Sequence, residues 1–394
     1  MRTLSLLAWM GSGVAAAAVL SACGGGSTDT GSVASQSMQS APQAAAAIPT
    51  PAATAATAPA PAAAPVASTT VSTAAVTTPG YPSGILQAIA AAKSAAATDP
   101  LCDPSVMGDF YWEIGTANSD RPIVSNSQGG GSVTASSYFN VASASKFIFG
   151  AYVLEKKGID AVRNDPSLYA GMRFMSGYTG FDETACAGSG TVSNCFTAGM
   201  NGNTSQPDPN TVGKFDYDGG HDQKLAAVDL GMGNFTAKQV AQEYQSVLGL
   251  PSSVAMAPLD PVMAGGVMAS ATDYAQFLRK VMNGQLVISA NLGKDSVCAL
   301  WSACPGEVAY SPIAALGEPW RYSYNHWVES QYGNGTVDAY SSPGKWGFYP
   351  WITPDMKYYG IVSRHDTQPD AYGVSVKCGR QIRKAFLSAL SSSS

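Results

Sequence analysis

Residues 23–82 are built almost wholly from Gly, Ser, Thr, Ala, Pro and Gln. Such a composition supplies too few large apolar groups to offset the chain entropy lost on folding, so the stretch reads as a disordered tether. A flexible coil of this length spans on the order of 40 Å, and its prolines extend it further. A packed core must therefore be drawn from 83–394, about 310 residues. That is large for one core but suits a single enzyme-sized body with two subdomains and room for a deep cleft.

The chain carries a formal charge of −5, and only 12% of its residues are charged. It has no basic run and no interleaving of aromatic with basic residues, so nucleic acid is not an expected partner. Ahead of the tether, Arg2 and an apolar run from Leu4 to Leu20 form the pattern of a secretory signal over 1–22. Its end, Leu20-Ser21-Ala22-Cys23, resembles the lipobox of bacterial lipoproteins, whose cysteine is acylated and becomes the new N-terminus. The resemblance implies a lipid on Cys23. Gly24 is not the aspartate that retains such proteins in the inner membrane, so an exported protein anchored in the outer membrane and facing the periplasm is expected. An ordinary signal peptide with a small-residue cleavage site is the alternative. No second apolar segment reaches spanning length, which leaves the lipid as the expected membrane contact.

Six cysteines remain besides Cys23, an even number in a chain bound for an oxidising compartment, and this points to disulfides. Cys186 and Cys195 bracket a Gly/Ser-rich loop and Cys298 and Cys304 a shorter one. Cys102 would then pair with Cys378 and tie the start of the body to its last helix. Sequence leaves the other connectivities open. No spacing is Cys-x-x-Cys and only His221, His326 and His365 supply imidazoles, so neither a metal nor a cofactor is expected.

Along the body, 84–97 is Ala-rich and helical, and 110–114 and 122–124 read as strands. Helical patterns follow at 143–157, with Gly158 as C-cap, and at 237–248 and 271–282. The tail returns to sheet at 351–352 and 358–363 before a closing helix over 374–390. Strands at both ends of a helical middle predict an α+β domain with an inserted helical lobe.

Within this frame Ser143 stands three residues before Lys146 at the head of an apolar helical run, and residues three apart share a helix face. A serine alcohol needs a base to take its proton, and a lysine amine in its uncharged form can serve. Ser342-Pro343-Gly344-Lys345 repeats the spacing, but Pro343 and Gly344 make it a poor helix interior. Ser143 is the better nucleophile. No Gly-x-Ser-x-Gly occurs, which disfavours a Ser-His-Asp hydrolase.

Tyr217, in Phe215-Asp216-Tyr217-Asp218-Gly219, and the Gly265-Gly266 turn before 271–282 complete an order of motifs that resembles the penicillin-binding and class C β-lactamase superfamily. The resemblance covers the whole body. It implies an antiparallel sheet flanked by helices, with the Tyr217 phenol sharing the proton relay of Ser143 and Lys146. Gly219 stands where that family has asparagine. Ser342, Gly344, Lys345 and Trp346 occupy the place of its third motif, which lacks its first cation here. The resemblance places the oxyanion hole at the backbone N–H of Ser143 and one just after Gly344.

The function implied is a serine hydrolase working through an acyl-enzyme on an ester, amide or peptide substrate, with a tilt toward esterase or small-amide activity. A D-Ala-D-Ala carboxypeptidase, a β-lactamase and a non-catalytic envelope sensor that keeps the fold are the alternatives. Outside the motifs, His221 reads as a surface side chain and Asp216, Asp218 and Asp222 as a solvated turn. Trp320, Tyr322, Tyr324, Trp327, Trp346, Tyr349 and Trp351 read as core and strand packing, with the lining of an apolar acyl or ring pocket by some of them as the alternative.

Overall fold

The computed structural model describes residues 81–331 and 335–392. The signal 1–22, Cys23 and all but the last two residues of the tether lie outside the described residues.

Eight strands form one antiparallel sheet in the order Val124–Gln128, Phe110–Gly115, Tyr359–Ser363, Tyr349–Ile352, Ala339–Ser341, His326–Glu329, Arg321–Ser323, Val297–Cys298. The first and last strands of the body, Phe110–Gly115 and Tyr359–Ser363, pair side by side as the second and third strands of the sheet, and every residue of both is buried. Both faces of the sheet are therefore covered, and alternate side chains go to different cores. Phe110, Trp112 and Ile114 join one cluster, whereas Tyr111 joins the other.

The first cluster is closed by the terminal helices Ser83–Thr98 and Ala371–Ser391, which pack on each other. Ala88, Ala92 and Ala96 recur every fourth residue, and these small side chains let the two helices approach closely. Cys102 is bonded to Cys378 across this layer, Cys186 to Cys195 and Cys298 to Cys304, the three pairs expected from the sequence.

The opposite cluster holds the helices Ser145–Lys157, Ala237–Leu248 and Ala271–Met282. The last two begin at the capping boxes Thr236/Gln239 and Ser270/Asp273, which satisfy N–H groups that a helix start leaves unpaired. Gly249 in the left-handed conformation stops the first of them.

The five expected helices stand within three residues of their sequence boundaries, and the strand expected at 122–124 runs Val124–Gln128. The helix expected from 143 differs in one respect: its α-helical part runs Ser145–Lys157, and Ser143 lies in a 3₁₀ turn, Ala142–Ala144, ahead of it.

Candidate active site

The turn that carries Ser143 is held from three sides. Asn140 Oδ1 accepts the Ala142 N–H at 2.7 Å, and Ala142 adopts φ +46°, a left-handed conformation that costs a non-glycine residue about 1 kcal/mol. Strand Val267–Ala269 binds the turn from one flank: Val141 N–H donates to the Val267 carbonyl at 2.9 Å, and Val267 N–H donates to Ser145 Oγ at 3.0 Å. The Tyr274 hydroxyl, from helix Ala271–Met282, donates to the Ala144 carbonyl at 2.8 Å. Strain confined to one turn and fixed by surrounding bonds is typical of a working site.

Lys146 is 3% exposed, and its Nζ lies 3.0 Å from Ser143 Oγ and 2.9 Å from the Ala264 carbonyl oxygen. A carbonyl only accepts, so the amine donates to Ala264. If uncharged, it keeps a lone pair for the serine proton. Ala264 is set in place by Gln223, which is fully buried. Its Oε1 accepts the Met263 N–H at 3.0 Å, and its Nε2 donates to the Val192 and Pro261 carbonyls.

Tyr217 is half-buried on an aromatic platform. Its ring stacks on Trp327 at 5.0 Å and meets Tyr322 edge-on at 5.7 Å, with Lys146 Nζ 4.8 Å from its centroid. Ser143 and Tyr217 both line each arm of a two-armed cleft. One arm, of about 380 Å³, also takes in Lys146, Glu183, Gly219 and Asp260; the other, of about 330 Å³, takes in Tyr310, Ile313, Trp327 and Tyr372. A larger hollow of about 640 Å³ beside Ala237–Leu248 shares no lining residue with the cleft.

The residues around Tyr217 correct two expectations. His221 is not a surface side chain but fully buried, stacked on Phe174 at 5.0 Å. Its Nε2–H donates to the Asp216 carbonyl at 3.0 Å, which leaves Nδ1 to accept from the Ser176 hydroxyl at 2.6 Å. Burial pushes it down to about 3, so it stays neutral. The three aspartates are not a solvated turn either. Asp218 accepts the N–H groups of Gly180, Phe181 and Gly220, fixing the loop before residue 183. Burial pushes Asp216 up to about 6. Asp222 is fully buried beneath the site, with Asn325 Nδ2 donating to it at 2.6 Å and burial raising it to about 7.

Across the cleft, Lys345 and Trp346 line the same arm as Ser143, with Lys345 Nζ 4.9 Å from the Trp346 ring. Ser342 and Gly344 act beneath the surface instead. Ser342, 1% exposed, donates to the Ser143 carbonyl at 2.8 Å, and a Cβ on Gly344 would overlap the Val141 carbonyl oxygen. The Gly344 N–H is spent on Phe348 O at 2.7 Å. Among the described residues the N–H groups of Ser143 and Lys345 donate to no other group, the two that the sequence assigns to an oxyanion.

Sequence reasoning missed Gln223, Ala264, Glu183 and the Asp222–Asn325 pair. Ala264 adjoins the Gly265-Gly266 turn, but its carbonyl carries no sequence signal, and the others lie in no motif. Only the fold brings them to the serine.

No protein-family model matches the sequence, and no curated protein does. Solved structures do share its shape. A candidate β-lactamase from Bacteroides dorei DSM 17855 is 19% identical over 74% of this chain and 97% of its own, with TM-score 0.52. The D-amino acid amidase of Ochrobactrum anthropi SV3, in complex with L-phenylalanine, is 10% identical over 76% of this chain and 99% of its own, with TM-score 0.50. The body therefore has the β-lactamase/transpeptidase-like α+β fold.

Proposed function

We propose that the body is a serine hydrolase of the β-lactamase-related kind, cleaving ester or amide bonds through an acyl-enzyme on Ser143. The observation that carries this reading is the 3.0 Å approach of Lys146 Nζ to Ser143 Oγ at the floor of a cleft that Tyr217 borders. As Ser143 Oγ attacks the carbonyl carbon, its proton passes to the uncharged Lys146 amine, with the Tyr217 phenol sharing the relay. The oxyanion that develops accepts from the N–H groups of Ser143 and Lys345. Returning the proton to the leaving group breaks the scissile bond, and the same bases then activate the water that frees Ser143.

Both neighbours of this fold bear names for enzymes that cleave amide bonds, which suits the reading. An ester or small amide is favoured over a β-lactam because the Ser342 hydroxyl is committed to the Ser143 carbonyl and does not line either arm. That leaves Lys345 as the one side chain of the third motif available to a substrate carboxylate. We also propose export and lipid anchoring in the outer membrane through Cys23, a reading that rests on 1–23 alone and that the mass of the mature N-terminal peptide tests.

A fluorescent phosphonate should label Ser143, and a panel of p-nitrophenyl esters, nitrocefin and a D-Ala-D-Ala peptide should identify the bond cleaved. Ser143→Ala should abolish labelling and turnover with the melting temperature nearly unchanged. Turnover that survives Ser143→Ala sinks the assignment. Intact ligand binding without labelling of the wild-type protein would favour the sensor.

A further inference from the structure

We infer that Glu183 makes the Ser143 cleft selective for esters or amides that carry a protonated amine, an inference that rests on the hydrolase reading. Glu183, an exposed side chain, opens a 3₁₀ turn, Glu183–Cys186, that is anchored at three points. Asp182 caps it by accepting the Thr184 N–H at 2.9 Å, Cys186 is bonded to Cys195, and Asp218 holds the preceding Gly180 and Phe181 N–H groups.

The carboxylate projects into space that two glycines leave open. Its oxygens lie 3.1 Å from where a Cβ on Gly219 would stand and 3.5 Å from the corresponding point on Gly265. It lines the arm that holds Ser143 and Lys146, yet among the described residues it has no hydrogen-bond or ion-pair partner of its own. The Lys146 amine is committed to Ser143 and Ala264. Asp260, on the same wall, already accepts the Gly188 N–H at 3.0 Å. Lys345, exposed where the two arms meet, has the Trp346 ring beside its Nζ at 4.9 Å.

An unpaired carboxylate on a concave wall attracts a cation, and the attraction strengthens as a ligand displaces water. A substrate ammonium would complete the bonding that the protein leaves unfinished at Glu183. Its carbonyl would reach Ser143, and an apolar or aromatic remainder would enter the second arm beside Tyr310, Ile313 and Trp327.

Two p-nitrophenyl phosphonates test this, one with 4-aminobutyl and one with pentyl on phosphorus, their labelling rates read from released p-nitrophenolate. The wild-type protein should react about fivefold faster with the amine. That ratio should fall toward unity in Glu183→Gln and, in the wild-type protein, as salt is raised. The salt series decides the matter if the variant does not fold. A wild-type ratio at or below one, or one insensitive to both salt and Glu183→Gln, overturns the inference and leaves the hydrolase reading standing. Failure of both probes to label Ser143 overturns the two together.

Discussion

The Ser342 hydroxyl donates to the main-chain carbonyl of Ser143 at 2.8 Å, so the strand-edge loop across the cleft is fastened to the backbone of the candidate nucleophile. Gly344, two residues on, lies against the Val141 carbonyl with no room for a Cβ. Ser342→Ala removes one buried hydrogen bond and should cost about 1 kcal/mol of stability, with a few-fold loss of turnover. Gly344→Ala forces the two backbones apart and should cost about 1–3 kcal/mol and lower turnover more than Ser342→Ala does. Thermal melts and ester hydrolysis on the two variants check the order. A Gly344→Ala protein as stable and active as wild type would show that the loop does not position the serine turn.

Tyr217 combines a structural ring with the hydroxyl proposed for the proton relay, and the two separate by substitution. Tyr217→Phe keeps the stacking on Trp327 and the edge contact with Tyr322, so its stability should stay within about 0.5 kcal/mol of wild type. Loss of the phenol from the proton relay should lower kcat roughly 100-fold. Lys146→Met, close in volume but without a base, should be slower still. A Tyr217→Phe enzyme at full rate would leave Lys146 as the sole base.

The Cys102–Cys378 bond spans 276 residues and joins the 3₁₀ turn after the first helix, Pro100–Cys102, to the last helix over one face of the sheet. A link across so long a loop restricts the unfolded chain strongly. Replacing both cysteines by serine should therefore destabilise the body by roughly 2–5 kcal/mol. Denaturant unfolding under non-reducing conditions measures this. An unchanged midpoint would mean that packing of Ala88, Ala92 and Ala96 on the last helix suffices without the bond.

The five long helices were legible in the sequence because they present an apolar period or a recognisable end, such as Gly158 after Lys157 or the Gly265-Gly266 turn before Ala271, whereas the short helices Ile159–Asn164, Pro166–Gly171, Val192–Gly199 and Gly220–Lys224 were not read. The strands at 297–298, 321–323, 326–329 and 339–341 were not. They are two to four residues long, too short to show an alternation, and those at 321–323 and 326–329 lie in what reads as an aromatic cluster. The hairpin among them turns on Tyr324 and Asn325, both at positive φ (36° and 64°), in place of the Asn-Gly that usually announces such a turn. That same turn delivers Asn325 to Asp222 and presses on Gly150 of the serine helix, where an added Cβ would sit 2.5 Å from the Tyr324 carbonyl oxygen. The buried aspartates and His221 were misjudged for one reason: a polar residue in a Gly-rich stretch carries no sign of burial until the elements that cover it are in place.

Asp222 gives the body a pH dependence of definite sign. Burial pushes its carboxyl up to about 7, against the opposing pull of Lys146 and the Asn325 hydrogen bond. In the unfolded chain an aspartate titrates near 3.9. Between roughly pH 4 and 7 the folded protein thus holds a proton that the unfolded chain has released. Stability falls as pH rises through that window, by on the order of 1.4 kcal/mol per pH unit from this group, and no further above it. Asp216, raised to about 6, acts in the same direction, so the informative comparison is between wild type and Asp222→Asn. The asparagine preserves the shape and cannot titrate, and its unfolding free energy should decline less between pH 5 and 7 than that of the wild-type protein. Equal slopes in the two proteins would mean that Asp222 is already ionised at pH 5, held as a carboxylate by Lys146 in its ammonium form.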